Sequence, residues 1–524
     1  MANKIEDIKA QKDGLALKAE IERFAKIGWE AIEDDDLQYR LKWLGVFFRK
    51  STPGRFMVRM RIPNGLLSSD QMRTLASVVE KCGDHGVADI TTRQNIQMRG
   101  ILIEDVPEMF AKFQAVGLTS VQSAMDNIRN ITGSPVAGID ANELYDTREL
   151  AIQVQNLLTN NGEGNPDFTN LPRKFNIAIA GCRDNSTHAE INDLAFIPAF
   201  KEETKETFGF NVIVGGFFSS KRVAAAVPLN VWVPPEDVVG LCEAVLLVFR
   251  DHGLRENRQK SRLMYLIDQW GLEKFRAEVE QQFGKPLAIA ATKDEIEWAK
   301  RDHIGIHKQK QEGLNYVGMQ VPVGRMYAPD MYEFARLADT YGNGDMRLTV
   351  EQNLIITNVS DEKLPELLRE PLLHKFPIDP DPLMRGLVSC TGNQFCPVAI
   401  VETKNRSLAL TKQLSEDYYL PQVVRIHWSG CPNSCAQPQV ADIGFTGCKA
   451  RKDGKVVDGV DIYMGGTVGK DAHLGKCVME KVPCEDLREV IGKLLVENFG
   501  AVPKNADTSN LSSSSPTDNL VLIT

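Results

Sequence analysis

The chain lacks any apolar run long enough to cross a bilayer. Ala244-Val245-Leu246-Leu247-Val248-Phe249 is among the longest and stops at Arg250, against about 20 residues for a spanning helix. An apolar leader is missing too: the opening Met1-Ala2-Asn3-Lys4-Ile5-Glu6-Asp7 is polar and acidic, which predicts neither a secretory signal nor an Arg/Ser-rich transit sequence. A soluble protein is expected, cytoplasmic or already processed for a plastid stroma. Positive charge is in short supply, with 61 Lys and Arg against 70 Asp and Glu for a net −9, and this argues against nucleic acid as a partner. No G-x-G-x-x-G stands between a strand and a helix and no flavin signature occurs, so no nicotinamide domain is expected. Nor is there a disulfide framework. Cys82, Cys182, Cys242, Cys448, Cys477 and Cys484 are scattered, as suits a reducing compartment.

What is present begins with length. A chain of 524 residues, 43% hydrophobic and 25% charged, is too long for one core and predicts two to four domains. The remaining four of its ten cysteines fall as two tight pairs, in Ser389-Cys390-Thr391-Gly392-Asn393-Gln394-Phe395-Cys396-Pro397 and in Gly430-Cys431-Pro432-Asn433-Ser434-Cys435-Ala436. Four thiolates so spaced can close around one metal centre. Structural zinc usually takes pairs two to four residues apart, whereas five residues separate Cys390 from Cys396. An iron-sulfur cube is larger and tolerates wider loops. The spacing favours a four-iron cluster and leaves zinc as the alternative.

Residues 4 to about 50 carry helical periodicity, through Ala19, Ile21, Phe24, Ala25 and Ile27 and then Trp43, Leu44, Phe47 and Phe48. A strand is predicted over 56–62, with Met57, Arg59 and Arg61 opposite Phe56, Val58, Met60 and Ile62. Ser68-Ser69 can cap a helix carrying Met72, Leu75, Val78, Val79 and Cys82. A second strand, 89–98, would present Thr91, Arg93, Asn95, Gln97 and Arg99 on its polar face. Such a face is often only solvated, but two Arg-bearing faces in one unit also suit a polyanion, because guanidinium groups hold carboxylates bidentately.

The unit recurs some 258 residues later, as a tandem repeat at domain scale. Val317-Gly318-Met319 echoes Val58-Arg59-Met60, and Arg347-Leu348-Thr349-Val350-Glu351-Gln352-Asn353 echoes Asp89-Ile90-Thr91-Thr92-Arg93-Gln94-Asn95. Charge distinguishes the copies: Gly318 answers Arg59, and Glu351 answers Arg93. Conversely Ile131-Thr132-Gly133 answers Cys390-Thr391-Gly392, and Gly181-Cys182-Arg183-Asp184-Asn185-Ser186 answers the second cysteine pair. One half is expected to supply the anion site and the other the metal ligands, leaving Cys182 an ordinary thiol.

C-T-G-x-x-F-C-P followed by G-C-P-N-S-C-A resembles the cluster motif of the assimilatory nitrite and sulfite reductases, over roughly residues 20 to 500. The resemblance implies a 4Fe-4S cluster on Cys390, Cys396, Cys431 and Cys435, coupled to a sirohaem whose iron takes Cys435 as proximal ligand. It implies reduced ferredoxin as the electron donor and six-electron reduction of nitrite to ammonium, or of sulfite in the close alternative. Asp126-Asn127-Ile128-Arg129-Asn130 and Leu171-Pro172-Arg173-Lys174-Phe175-Asn176 match the family's distal pocket. Arg59, Arg129, Lys174 and Asn176 would then meet the substrate. Arg61, Thr91, Arg93, Asn95, Gln97, Arg173, Asn433 and, after Gly215-Gly216-Phe217-Phe218-Ser219-Ser220, Lys221 and Arg222 would bind the cofactors. Sulfite-reducing relatives resemble R-K-F-K where this chain has Asn176. One fewer cation suits a monoanion over a dianion, so nitrite is favoured.

The expected architecture is an α+β monomer with a pseudo-twofold repeat. A helical segment (1–50) precedes a ferredoxin-like half-domain (51–120), a sirohaem and substrate domain (121–300), a second half-domain (301–380), a cluster domain (381–502) and a mobile polar tail (503–524). An acidic ferredoxin needs a basic docking patch. Arg255, Arg258, Lys260 and Arg262, or Lys449, Arg451, Lys452 and Lys455, are the candidate runs. A non-catalytic zinc-binding protein is the rival of another class, and it leaves the arginines unexplained.

Overall fold

Alternating apolar residues from Phe56 onwards pair into the first of four principal sheets in the computed structural model, which describes residues 3–201 and 207–504. Phe56–Arg59 runs antiparallel to Ile96–Ile101, which returns against Val87–Ile90. The predicted strand over 89–98 is therefore two strands and a turn. Gln94 adopts the left-handed region at φ +52°, and the Thr91 and Gln94 amides close the turn on Asn95 and Thr91 carbonyls. The 56–62 strand is likewise shorter than its alternation suggests. Beyond Arg59 the backbone of Ile62 is taken up by the Asn130 side chain, at 2.7 Å and 2.6 Å, in place of a ladder partner.

The second half-domain repeats this pattern with Leu314–Met319, Asp345–Leu348 and Leu354–Ser360. The two halves also exchange edges. Arg325–Met326 joins the first sheet beside Val87–Ile90, and Leu66–Ser68 joins the second beside Asp345–Leu348. Helices Ser69–Lys81 and Ala328–Tyr341 lie together over one hydrophobic core shared by both halves. The first is closed by a capping box between Ser68 and Gln71. The exchange covers strand edges that would otherwise stay unpaired.

Ahead of this pair the N-terminal segment packs Leu17, Ile21, Phe24, Leu41 and Leu44 into the same core. Its helicity ends sooner than the sequence predicts: Val46–Phe47 is a short strand against Met57–Val58.

Two larger sheets complete the repeat with one topology. In the first, Thr132–Gly133, Ile177–Ile179 and Leu194–Phe200 are parallel, followed by antiparallel Phe208–Val214 and Val227–Val233. In the second, Leu387–Ser389, Ile426–Ser429 and Ile443–Lys452 are parallel, followed by antiparallel Lys455–Met464 and Lys476–Pro483. Helices Arg148–Thr159 and Lys404–Asp417 make the equivalent first crossovers, and each sheet has its own apolar core. The α+β pseudo-twofold expectation holds. Most of the polar tail lies outside the described residues, but at its start Val502–Pro503 pairs with Tyr418–Tyr419. Among the described residues no helix is long and apolar enough to cross a membrane.

Candidate active site

Both cysteine pairs sit where a parallel strand of the second large sheet gives way to a loop, the usual place for a site in such sheets. Cys390 follows Leu387–Ser389, and Cys431 and Cys435 follow Ile426–Ser429. Backbone amides of Gly392 and Gly430 point at the Cys390 sulfur, at 3.4 Å and 3.1 Å. Gly392 has φ +67°, and a Cβ there would meet the Thr403 hydroxyl at 2.6 Å, so the loop requires glycine. Burial and the neighbouring Cys435 thiol push Cys390 up to about 12. Metal coordination reverses that preference, because a coordinating thiol is deprotonated outright.

All four cysteines line one cavity with Arg49, Arg59, Thr91, Thr92, Arg93, Gln97 and Lys404. Among the described residues no three His, Cys, Asp or Glu side chains converge on a single-ion position. Four thiols around a shared space too wide for one ion, with amides aimed at sulfur, fit an iron-sulfur cluster better than zinc.

The opposite wall comes from the first half. Arg59 lies over the Phe47 ring at 4.8 Å, and Arg93 donates from Nε to the Asn176 amide oxygen at 3.2 Å. Burial lowers Arg59 to about 9 and holds Arg93, Arg129 and Lys174 below their ordinary values. Neighbouring cations add to the effect: Arg59, Arg93 and Arg173 act on Arg129, and Arg262, Arg93 and Arg129 act on Lys174. Nearby carboxylates are already engaged, Asp126 by Arg258 and Lys9 and Asp193 by Arg262. Among the described residues none of Arg59, Arg93, Arg129 and Lys174 forms an ion pair. Buried cations without counter-charge are costly, so this wall fits a polyanionic tetrapyrrole and an anionic substrate.

Other residues expected at the cofactors have partners within the protein or lie away from the cysteine cavity. Arg61, 1% exposed, spends its guanidinium on the carbonyls of Gln122, Ile128 and Arg129 at 2.9–3.1 Å and on Gln155 at 3.2 Å. It ties these backbone segments together. Asn95 is spent on the Met60 carbonyl and Thr91. Arg173 faces Asp126 at 3.8 Å and is lowered to about 10 by burial. Lys221 is exposed, Arg222 pairs with Asp268, and neither lines the cysteine cavity. Asn433 is half-buried between Cys431 and Cys435. The three arginines of the run from Arg255 to Arg262 are paired within the protein, Arg255 with Glu6 at 3.0 Å, Arg258 with Asp126 at 2.7 Å and 2.8 Å, and Arg262 with Asp193, while Lys260 is exposed. In the other run Lys449 and Lys452 pair with Asp458 and Asp486, leaving Arg451 and Lys455 exposed.

The sequence reading missed a hub. Asp89, 3% exposed, receives Arg99, Arg325 at 3.2 Å and Lys404 at 3.3 Å. Arg99 continues to the Thr391 hydroxyl at 3.1 Å and Arg325 to Gln394 at 3.2 Å, and both lie against the Phe395 ring. Three cations on one carboxylate thus brace the Cys390–Cys396 loop. Arg49 is also new to the cavity wall. Its only sequence signal was position after Phe47-Phe48.

The model for the nitrite and sulphite reductase 4Fe-4S domain matches residues 124–287 and 381–497, and that for the nitrite/sulfite reductase ferredoxin-like half domain matches 48–116 and 307–374. The chain belongs to the nitrite and sulphite reductase family. Both matches fall as tandem pairs, one copy in each half of the repeat. Within the family, the ferredoxin–nitrite reductase of Leptolyngbya laminosa is 63% identical over 503 residues, covering 96% of this chain and 98% of its own. The chloroplastic ferredoxin–nitrite reductase of Zea mays is 51% identical, covering 96% and 91%. The solved structure of Mycobacterium tuberculosis NirA superposes with a TM-score of 0.86 at 32% identity, over 94% of this chain and 93% of that one.

Proposed function

We propose that this chain is a ferredoxin-dependent nitrite reductase, acting as a monomer to reduce nitrite to ammonium at a sirohaem coupled to a 4Fe-4S cluster. One observation carries the reading: Arg59 and Arg93 line one cavity with four cysteines, and among the described residues neither they nor the neighbouring Arg129 and Lys174 form an ion pair. When bound, the coupled centres supply the one-electron chemistry. Cys390, Cys396, Cys431 and Cys435 would hold the cluster, with Cys435 shared by the sirohaem iron, and Arg93 and Gln97 would hold tetrapyrrole carboxylates. Arg59, Arg129 and Lys174 bind the substrate anion and stabilise charge that develops as its N–O bonds break. Lys174, its ammonium made more acidic by burial among cations, is placed to hand a proton to an oxygen of that anion. Removing one such donor, as in Lys174→Met, should lower kcat by about 10²–10³.

Asn176 sets the charge count. It meets Arg93 through its amide oxygen where a lysine would add a cation suited to sulfite. Asn176→Lys should raise the ratio of kcat/KM for sulfite over nitrite by about tenfold, or 1.4 kcal/mol; an unchanged ratio would refute the charge argument. The function itself is tested by the visible spectrum of the purified protein with nitrite and then sulfite. Tetrapyrrole bands that move with nitrite are expected, and cofactor-replete protein without such bands would remove the catalytic reading. The enzyme is placed in the cytoplasm, or the stroma for a plastid counterpart, and cell fractionation checks this. Its docking surface for acidic ferredoxin does not run through Arg258 and Arg262, whose charges are internally paired.

A further inference from the structure

The first repeat keeps a copy of the cysteine loop without its ligands. Ser186 stands where the second repeat has Cys435, and His188 stands where it has Gln437. Both His188 and Gln437 adopt left-handed backbone, at φ +51° and +60°. They meet between the two repeats, His188 Nδ1 lying 2.6 Å from the Gln437 amide oxygen.

From this contact a buried line runs in both directions. Towards the cysteines, Gln437 Nε2 donates to the Thr92 carbonyl at 3.3 Å, and the Thr92 hydroxyl donates to the Cys435 carbonyl at 3.0 Å. Away from them, His188 Nε2 lies 3.3 Å from the Glu351 carboxylate, which also pairs with Lys300. Glu351 is the second repeat's counterpart of Arg93. His188, Thr92, Gln437 and Glu351 are all less than a tenth exposed.

The Gln437 amide makes Nδ1 of His188 the donor in this contact. Because the Gln437 amide nitrogen is committed to the Thr92 carbonyl, its oxygen faces Nδ1 and accepts a proton from it. Nε2 faces a carboxylate whose second oxygen has no other hydrogen-bond partner.

We propose that His188 is a positioning residue for the axial cysteine: the ligand-free loop of the first repeat has become the outer support of the ligand-bearing loop, fixing Thr92 on the Cys435 carbonyl through Gln437. The inference rests on the reading of Cys435 as the sirohaem's axial ligand. Partners that orient a metal's ligands commonly govern its affinity or activity by 10–100-fold, and outer hydrogen bonding tunes the potential of such centres. His188 and Glu351 do not line the cavity, so substrate binding should be untouched.

The test uses holoenzyme carrying His188→Gln, with midpoint potentials read by spectroelectrochemical titration beside steady-state kinetics. Full cofactor content, a shifted sirohaem potential and kcat lowered about tenfold at unchanged KM for nitrite are expected. Unchanged potential with full cofactor content would overturn the inference. If His188→Gln does not take up the cofactors, Thr92→Val and Thr92→Ser decide. Valine should alter the potential and the absorption bands and serine should restore them; no change in valine, or no rescue by serine, overturns it. Wild-type protein that binds no sirohaem would instead defeat the underlying functional reading.

Discussion

Serine at position 435 should abolish nitrite turnover while leaving the protein folded. The Cys435 side chain is exposed into the cavity, and the loop is held through its carbonyl by Thr92 and through the carbonyls of Ala436 and Gln437 by His427. His427 is lowered to about 3 by burial, so it stays a neutral donor and the loop keeps its shape in the variant. What is lost is a soft thiolate. An alcohol is a poor ligand for an iron-sulfur cluster, and the bridge to the sirohaem would go with it. Iron and labile sulfide per chain, the tetrapyrrole absorption and far-UV circular dichroism measured together check this. Turnover retained by Cys435→Ser would remove Cys435 from the ligand set. Cys182→Ser is the matched control. Cys182 occupies the ligand-like register of the first repeat, but burial drives its thiol well above the ordinary value and it hydrogen-bonds Ser134 at 3.3 Å. Cofactor content and turnover should survive there.

The ligand loops were legible because their chemistry is local: four cysteines, two glycines and two prolines within two short stretches identify them without tertiary information. The cationic segments around Arg129 and Lys174 were legible through resemblance rather than from pattern, since an isolated basic segment reads as surface. Arg59 and Arg61 show where alternation fails. Their spacing puts them on one strand face, but the strand ends at Arg59, so Arg59 reaches the cavity while Arg61 turns into main-chain carbonyls. The basic run at 255–262 looked like a docking surface because its partners are remote in sequence; Asp126 lies 132 residues from Arg258. Edge exchange between the half-domains was invisible for a related reason. Strands of two or three residues carry almost no periodicity, and only the folded chain brings Leu66–Ser68 to Asp345–Leu348.

Asp89→Asn should destabilise the protein by about 3–5 kcal/mol, because removing one partner of a buried charge network leaves uncompensated charge. Here one carboxylate serves three cations. Arg99 and Lys404 are buried with it, and Arg325 joins from the exchanged strand, directly opposite Asp89 in register. An asparagine offers one neutral oxygen in place of the charge, so the Thr391, Gln394 and Phe395 contacts that brace the cluster loop would loosen as well. Protonation gives the loss a pH signature. Arg99, Lys404 and Arg325 hold the Asp89 carboxyl well below its usual range. Its contribution in the wild type is therefore present above about pH 4 and is lost as pH falls further, and the variant should not share that loss. Lys404 works at the other end. Burial lowers it to about 8 despite Asp89, so the unfolded chain holds its proton more tightly and stability rises with pH from there to about 10.4. Without Asp89 the Lys404 value falls further, and the gap between variant and wild type should be widest near neutrality and narrow above that range. Urea unfolding of both proteins across pH 3–10, with iron content followed in parallel, checks the sign at each end. Equal stability at pH 7 would show that the three cations find other partners and that the hub does not brace the loop.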